Sequence, residues 1–172
     1  MRDSRRIAIL LPDLHGGGVE RTRLVLAHEF AALGHRPELV LMRETGGLLE
    51  EAQDSFPIVG LDAPRNRNLF VALARYLRSA RPDGLMAAMW PVTVIAVAGQ
   101  KFSGIPCPVL VSEHNSLEIQ YGPRGRVHHA ALQASLAMMY SGARARVGVS
   151  SDVADVMAHL SGLPRERFDV VN

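Results

Sequence analysis

Short apolar runs recur along the chain and are separated by more polar stretches. Each run is rich in Val, Ile, Leu or Ala and is bounded by Gly, Pro or a polar residue. The runs are Arg6–Leu11, Glu38–Met42, Pro57–Leu61, Gly84–Ala88, Val109–Ser112 and Arg146–Val149. Continuous hydrophobicity is typical of strands that are buried on both faces of a parallel sheet. The pattern therefore predicts a series of buried parallel strands.

Apolar residues at helical spacing lie between these runs. The predicted apolar faces are Leu26, Phe30 and Leu33 in the first helix, Leu69, Leu73, Tyr76, Leu77 and Ala80 in the second, and Val153, Val156, Met157 and Leu160 in the last. Gly34, Pro82 and Gly162 lie where these helices should end. Strand and helix alternate, and parallel strands need crossover connections. The pattern predicts an α/β, Rossmann-like, doubly wound, mostly parallel sheet of about six or seven strands with helices on both faces.

The composition agrees with one globular domain over residues 1–172, because 48% of the residues are hydrophobic and 21% are charged. The net charge is only +2, so a surface built throughout for nucleic acid is excluded. No apolar run approaches the roughly 20 residues of a membrane span, and none begins the chain as a signal peptide would. The single cysteine, Cys107, cannot form an internal disulfide. We expect a cytoplasmic protein.

A glycine triplet follows the first predicted strand, where a helix should begin. Gly16, Gly17 and Gly18 let the backbone approach a ligand, and the free N–H groups of a helix start favour a phosphate. Arg21 occupies the position at which a dinucleotide-binding fingerprint needs its third glycine, and no P-loop lysine follows. The alternative is a flexible turn that only starts the helix.

Polar residues follow the fifth predicted strand. Glu113, His114 and Asn115 place a carboxylate, an imidazole and an amide at one edge of the sheet, where they can orient the hydroxyls of a sugar or polyol. A purely structural His114 is the alternative. Trp90, after the fourth strand, is predicted either to stack on a ligand or to pack in the core. No Gly-x-Ser-x-Gly elbow and no metal-ligand spacing occur, so we expect neither a catalytic triad nor a metal site.

The stretch 123–146 contains basic residues but no acidic ones. Its arginines, at the two ends of an apolar helix, are Arg124, Arg126, Arg144 and Arg146. Such a helix could rest on an anionic membrane surface. A buried crossover helix with solvated ends is the preferred interpretation from the residues alone.

Taken in order, these motifs resemble the N-terminal domain of family 4 retaining glycosyltransferases, which have the two-domain GT-B fold. The matching segments are the opening strand with Gly16–Arg21, the turn Gly34-His35, Arg81-Pro82-Asp83 before the fourth strand, Glu113-His114-Asn115 after the fifth, Val149–Val153, and the final Phe168–Asn172. The resemblance spans essentially the whole chain.

The resemblance implies transfer of a sugar from a nucleotide-sugar, such as a UDP- or GDP-sugar, with retention at the anomeric carbon and no metal or other cofactor. The implied acceptor is a glycan or a lipid-linked acceptor, in the synthesis of cell-surface or other glycoconjugates. In this family the N-terminal domain mainly binds the acceptor, and some members contact the inner face of the membrane.

Carried over to this chain, the resemblance assigns roles to individual residues. His114 is expected to be catalytic, beside the transferred sugar or the acceptor hydroxyl. The glycine loop of Gly16, Gly17 and Gly18 is expected to bind the donor's phosphate and sugar. The expected acceptor-binding residues are Glu113, Asn115 and Trp90, and the residues expected to fix the glycine loop are Glu20 and Arg21. The resemblance also strengthens the interpretation of the basic stretch as a peripheral membrane contact.

The family's C-terminal domain, which supplies most contacts to the nucleotide, has no counterpart in the sequence. We therefore expect a lobe with little or no transferase activity alone. The alternative is a freestanding Rossmann-like binding module, or a non-catalytic subunit that pairs with a separate chain. An NAD-dependent oxidoreductase is disfavoured by the glycine spacing. The donor sugar, the acceptor and the oligomeric state are left open by the sequence.

Overall fold

The structure, a computed structural model, describes residues 3–121 and 125–171. Its strands are β1 (Arg6–Leu11), β2 (Arg36–Leu41), β3 (Ile58–Gly60), β4 (Gly84–Ala88), β5 (Val109–Glu113), β6 (Ala145–Gly148) and β7 (Asp169–Val170). Its helices are α1 (Gly18–Ala32), α2 (Leu49–Ser55), α3 (Asn66–Ala80), α4 (Val92–Ser103), α5 (Leu117–Tyr121), α6 (Arg126–Met139) and α7 (Ser151–Ser161). Two short 3-10 turns, Tyr140–Gly142 and Arg165–Arg167, precede β6 and β7.

The strands form one parallel sheet in the order β3-β2-β1-β4-β5-β6-β7. The chain builds outward from β1 to β3, then returns to β4 on the other side of β1 and builds outward again. Right-handed crossovers therefore put α1 and α2 on one face and the later helices on the other. The direction changes between β1 and β4, where ligands bind such sheets at the carboxyl ends of the strands. The predicted fold is confirmed.

The face that carries α3, α4, α6 and α7 is fully covered. Its core joins Leu10 and Val111 of the sheet to Leu73, Leu136 and Met157 of three helices, all fully buried. Such near-continuous burial of apolar side chains supplies the main stabilisation of the domain.

The opposite face is covered over only part of its width. Under α1 and α2, a second core contains Ile9 and Leu41 of the sheet and Leu24 of α1, each buried. Over β4, β5 and β6 the described residues place no helix on this face. Met86, Leu110 and Val147 point to this open sector and are only half-buried.

The sequence predicted that Leu26, Phe30 and Leu33 form the buried face of α1, and this prediction is wrong. Arg23, Leu24 and Ala27 are the buried residues of this helix, whereas Leu33 is 53% exposed. Leu26 and Phe30 are half-buried beside the open sector of the sheet. The apolar stripe exists, but it borders a surface that the described residues leave uncovered.

Two short helices, α2 and α5, were not predicted. They have seven and five residues, so neither contains enough turns to establish a helical period in the sequence. In the described part of the chain, no helix combines the length and the hydrophobicity needed to cross a membrane.

Candidate functional site

The candidate site lies at the carboxyl ends of β1, β4 and β5. The glycine loop follows β1, Trp90 follows β4, and His114 follows β5. Because β4 pairs with both β1 and β5, the three segments leave the sheet at neighbouring positions. The topology therefore brings the predicted site residues to one edge, although not into one cavity.

The glycine loop combines one constrained residue with a free helix start. Gly16 has φ of +99°, which L side chains rarely adopt. Gly17 has φ of −69° and precedes α1 without a side-chain cap. The positive φ of this loop thus belongs to Gly16 and not to Gly17. Gly18 opens α1, and a Cβ added there would meet nothing within 4 Å.

The two residues expected to fix this loop differ. The Glu20 carboxylate lies over Gly17, since a Cβ built on Gly17 would come within 2.6 Å of its Oε2 atom. Arg21 is exposed, and its side chain makes no hydrogen bond or ion pair with the described residues. The contacts thus tie Glu20, and not the side chain of Arg21, to the loop.

The loop between β2 and α2 packs against Leu14, just before the glycine loop. The N–H of Leu14 donates to the Thr45 carbonyl at 2.9 Å, and the N–H of Leu48 donates to the Leu14 carbonyl at 3.0 Å. Gly46 has φ of +127°, and a Cβ added there would lie 2.0 Å from the Leu14 carbonyl carbon. This close approach requires glycine.

A buried carboxylate next to the glycine loop was missed by the sequence analysis. Asp13 is 8% exposed and contacts His15 Nδ1 at 2.7 Å and Arg43 Nη2 at 2.6 Å. Burial alone would raise the pKa of Asp13, but the hydrogen bonds from Arg43 and His15 outweigh it and lower the pKa. Asp13 therefore holds the His15 imidazole and the Arg43 guanidinium at the carboxyl ends of β1 and β2.

His114 contacts a buried arginine. The Arg23 Nη2 atom donates to Ser112 Oγ and lies 3.3 Å from His114 Nε2. Because a guanidinium can only donate, this contact requires a lone pair on Nε2 and puts the imidazole proton on Nδ1. Burial, and then the nearby charge of Arg23, lower the pKa of His114 to about 4. The imidazole is therefore neutral at pH 7 and can donate from Nδ1 to a ligand oxygen.

Glu113, the preceding residue, is enclosed on the other side of the sheet. Its carboxylate accepts hydrogen bonds from the Trp90 N–H at 3.1 Å, the Thr93 hydroxyl at 3.0 Å and the Tyr140 hydroxyl at 2.6 Å. Burial raises the pKa of Glu113 to about 7, although these hydrogen bonds oppose the rise. With 1% exposure, Glu113 cannot touch an acceptor directly. The prediction of direct contact is corrected, and Glu113 fixes the loop that carries Trp90.

Trp90 lines a cleft of about 450 Å³ above β1, β2 and β4, which we call the switch cleft. Its other lining residues include Met42, Arg43, Arg65, Asn66 and Tyr121. The Trp90 indole N–H donates to Ser135 Oγ at 3.0 Å, and the ring packs edge-on against Tyr121 with a centroid distance of 4.8 Å. Trp90 is thus packed and half-exposed, so its packing role is observed, whereas stacking on a ligand stays a prediction.

The acceptor candidate Asn115 and the catalytic candidate His114 do not share this cleft. Asn115 is exposed beyond the end of β5, and His114 lines a separate groove beside α1. The site therefore divides into the switch cleft around Trp90 and a recess around His114. Sequence order alone could not reveal this division, because successive residues after a strand point to opposite sides of the sheet.

The four arginines of the basic stretch do not form one surface. Arg146 is 4% exposed and its guanidinium donates to the Tyr140 carbonyl at 2.6 Å, so the prediction that it contacts a membrane is wrong. Arg126 is exposed at the start of α6, and exposed Arg144 precedes β6 at the opposite edge of the sheet. Arg124 lies outside the described residues. Among residues 3–121 and 125–171, no three metal-ligating side chains come together.

The sequence model of Glycosyltransferase Family 4 matches residues 16–172, which is most of the chain and includes every predicted site residue. The chain belongs to glycosyltransferase family 4. Its sheet and helices have the Rossmann-like architecture of the N-terminal domain of GT-B glycosyltransferases. No curated protein sequence matches the chain.

Solved structures support the family's fold at low sequence identity. The HepE protein of Anabaena, solved with UDP and glucose, has a TM-score of 0.71 and 17% identity over 96% of this chain and 44% of that one. The lipopolysaccharide outer core galactosyltransferase WaaB has a TM-score of 0.65 and 13% identity over 95% and 44% of the two chains. MurG of Acinetobacter baumannii has a TM-score of 0.63 and 14% identity over 97% and 45%. The family 4 chain thus spans less than half the length of these proteins.

Proposed function

We propose that this chain is the acceptor-binding lobe of a retaining glycosyltransferase, which transfers a sugar from a nucleotide-sugar to an acceptor hydroxyl. The observation that carries the proposal is the neutral imidazole of His114 at the carboxyl edge of the sheet. Its Nε2 atom faces Arg23, so the Nδ1–H is the group that can orient a sugar hydroxyl. The transfer itself belongs to the synthesis of cell-surface or other glycoconjugates.

The glycine loop is proposed to face the donor. Gly17 and Gly18 are exposed at the start of α1, where the helix dipole and uncapped N–H groups attract the charge of a diphosphate. Arg23 lies five residues after Gly18, about 8 Å along the helix axis. A UDP- or GDP-sugar bound at the loop would thus have its sugar within reach of His114. The UDP and glucose in the HepE structure support this class of donor.

The switch cleft is proposed to hold part of the acceptor, which is a glycan or a lipid-linked acceptor. Trp90 and Tyr121 offer aromatic faces, and Arg43 and Asn66 offer hydrogen-bond donors around them. Glu113 acts through the main chain of Trp90 in this proposal. Asn115, exposed beyond His114, is proposed to contact the acceptor from outside the cleft.

The reaction needs a second lobe for the nucleotide, and the proposal assigns no metal or other cofactor to this chain. The chain spans 44% of the length of HepE and of WaaB. We therefore propose that these 172 residues alone transfer little or no sugar.

A cytoplasmic location with peripheral membrane contact is also proposed. Ile119 of α5 and Val127 of α6 are 80% and 86% exposed, and the exposed Arg126 lies beside Val127. Apolar side chains next to a cation are suited to the surface of an anionic bilayer. The Ile119→Asp and Val127→Asp pair should abolish sedimentation with anionic vesicles, whereas Val71→Asp, at an exposed site on α3, should not. Equal sedimentation of both variants would reject the membrane contact.

The transfer proposal is tested on the protein at the full length that its gene encodes. Release of UDP or GDP from a panel of nucleotide-sugars is measured with glycan and lipid-linked acceptors. His114→Ala should lower kcat by roughly a hundredfold with little change in melting temperature. Absence of release from every donor by the intact protein would reject the proposal. Unchanged kinetics in His114→Ala would return this residue to a structural role.

A second candidate is a non-catalytic subunit that pairs with a separate chain. The open sector of the sheet over β4, β5 and β6 favours it, because apolar surface of this kind is normally covered. Size-exclusion chromatography with the purified partner chain distinguishes the two. A stable complex in which the partner provides the nucleotide-binding lobe would favour this alternative.

A further inference from the structure

The side chains around the switch cleft carry charge of one sign. Arg43 and Arg65 line the cleft, whereas no Asp or Glu is among the described residues that line it. The carboxylates that are nearest to these arginines in the sequence, Glu44 and Asp62, lie outside the lining. A cleft bordered by one sign of charge concentrates ions of the opposite sign. The switch cleft is therefore suited to an anion.

Arg65 has no counter-charge within the described part of the chain. It is exposed immediately before α3, whose first turn has no acidic residue. Its side chain makes no ion pair or hydrogen bond with a described residue. The positive end of the helix dipole repels a cation at this position and attracts an anion. An anion bound at Arg65 would thus be stabilised by both the side chain and the helix.

Arg43 is held in place by Asp13, but only in part. Its Nη2 atom donates to Asp13 Oδ2 at 2.6 Å, and its guanidinium makes no other hydrogen bond to a described side chain. A guanidinium has five N–H groups, so most of its donors are left for a ligand. Because Asp13 restrains the side chain, less conformational entropy is lost when a ligand binds. Asp13 also balances the charge of Arg43, so the unbalanced charge of the cleft belongs to Arg65.

The rest of the lining is suited to a sugar ring. Trp90 is half-exposed and offers aromatic surface, and the amides of Asn66 and Gln120 are exposed and have no partner among the described residues. The cleft volume of about 450 Å³ lies within the range of small-molecule sites, about 300 to 1,000 Å³. The cleft therefore combines surface for a sugar with donors for a charged substituent.

We propose that the acceptor sugar in the switch cleft carries an oxyanion, either a phosphate ester or a carboxylate, which binds the guanidinium groups of Arg43 and Arg65. The planar fork of a guanidinium matches two oxygens of either group. The inference rests on the proposed transfer reaction, which makes the occupant of the cleft an acceptor, and adds the chemical class of that acceptor. A neutral sugar leaves Arg65 without a counter-charge, so the cleft discriminates against it.

The first test measures binding without transfer, with the protein at its encoded length. The probes are hexose phosphates, hexuronates and the parent hexoses of the gluco, galacto and manno series. One of the two anionic classes should bind, which identifies the source of the oxyanion, and added salt should weaken its binding. Binding of neutral hexoses alone, or of no probe, would overturn the proposal.

A matched pair of variants distinguishes a specific site from general charge. Arg65→Gln should weaken binding of the selected anionic sugar roughly tenfold, because a charged hydrogen bond is lost. Arg67→Gln removes the same charge from an exposed position on the first turn of α3 but outside the cleft lining, so it should leave binding unchanged. Equal weakening in the two variants would assign the attraction to net charge and overturn the proposal. Melting temperatures verify that both variants are folded.

Acceptor kinetics connect the cleft to the proposed reaction. With the selected acceptor, Arg65→Gln should raise the acceptor KM roughly tenfold and leave the KM of the nucleotide-sugar unchanged. Normal transfer with an unchanged acceptor KM would overturn the acceptor class while the transfer function stands. Binding of an anionic sugar that depends on Arg65, in a protein that transfers no sugar from any donor, would support the anion site and reject the transfer function.

Discussion

At the end of β5, two neighbouring ionisable residues lie on opposite sides of the sheet and have different surroundings. Glu113 points into the covered side, where three hydrogen-bond donors enclose its carboxylate. His114 points into the groove beside α1, where its Nε2 atom contacts Arg23 and Ser112 and no described residue hydrogen-bonds to its Nδ1 atom. Burial opposes the charge of both, raising the pKa of one to about 7 and lowering that of the other to about 4. The comparison separates a group that holds the site together from one that is available to a ligand.

The largest expected effect removes the enclosed carboxylate. Glu113→Ala leaves the N–H of Trp90 and the hydroxyls of Thr93 and Tyr140 without their acceptor, at an expected cost of roughly 3 kcal/mol in the free energy of unfolding. Urea denaturation followed by circular dichroism measures it. Glu113→Gln, which keeps one acceptor oxygen, is the control and should cost clearly less. Equal losses in the two variants would mean that the donors find other partners.

On the side of α1, the glycine loop is held by main-chain packing, whereas on the covered side the Glu113 carboxylate holds the loop that carries Trp90. Gly46→Ala forces a Cβ into the Leu14 carbonyl at a residue with φ of +127°, so it should cost about 2 kcal/mol and disturb the glycine loop. Gly47→Ala, at the next position, meets nothing within 4 Å and should be nearly neutral. Thermal unfolding of both variants provides the measurement. Similar melting temperatures would contradict the close approach of the two loops.

The pH dependence of stability distinguishes the two groups by sign. The raised pKa of Glu113 means that the folded state binds more protons than the unfolded state between pH 4.5 and about 7, so stability falls as pH rises through this window. The lowered pKa of His114 has the opposite effect. The unfolded state binds more protons at this residue between pH 6.5 and about 4, so the free energy of unfolding falls as pH falls through this window. The two contributions partly cancel in the wild type.

Single variants should reveal each contribution. In Glu113→Gln, the His114 term is left, so the free energy of unfolding should rise with pH between about 4 and 6.5. In His114→Ala, the Glu113 term is left, and stability should fall between pH 4.5 and about 7. Denaturation curves at several pH values test both slopes. Two rising slopes would contradict the raised pKa of Glu113, and two falling slopes would contradict the lowered pKa of His114.

The strands and the position of the candidate site could be predicted from the sequence. The bounds of β1 and β4, Arg6–Leu11 and Gly84–Ala88, were predicted to the residue because buried parallel strands are continuous apolar runs between polar or Gly and Pro boundaries. The sequence also predicted that the candidate site lies at the carboxyl ends of the strands, because ligands bind parallel sheets of this kind at that edge. These features depend on local pattern and general rules of chain connection.

Contacts between distant elements were not predictable in this way. Arg146 was predicted at the solvated end of a helix or on a membrane, yet it is buried. Nothing in the sequence marks Arg23 as buried, yet it lies against Ser112 and His114, about 90 residues away in the chain. Their burial depends on which face a helix or strand turns inward, and the hydrophobic period assigned the wrong residues of α1 to the interior. Likewise, Glu113 and His114 appeared as one polar group, although the pleat of the strand sends them to opposite sides.

The smallest expected effect concerns the ionisation of His114 itself. If Arg23 contributes to its low pKa, Arg23→Met should raise that pKa by a fraction of a unit, because burial, the larger cause, is left in place. Nitrogen-15 NMR of the imidazole follows the titration and also reports which nitrogen carries the proton. Arg21→Met, which removes a charge that contacts no described side chain, should leave the pKa unchanged. Equal shifts in the two variants would assign the effect to net charge, and a proton on Nε2 would contradict the contact with Arg23. A proton on Nδ1 in the wild type would leave this nitrogen as the donor through which the open side of the sheet can bind a sugar hydroxyl.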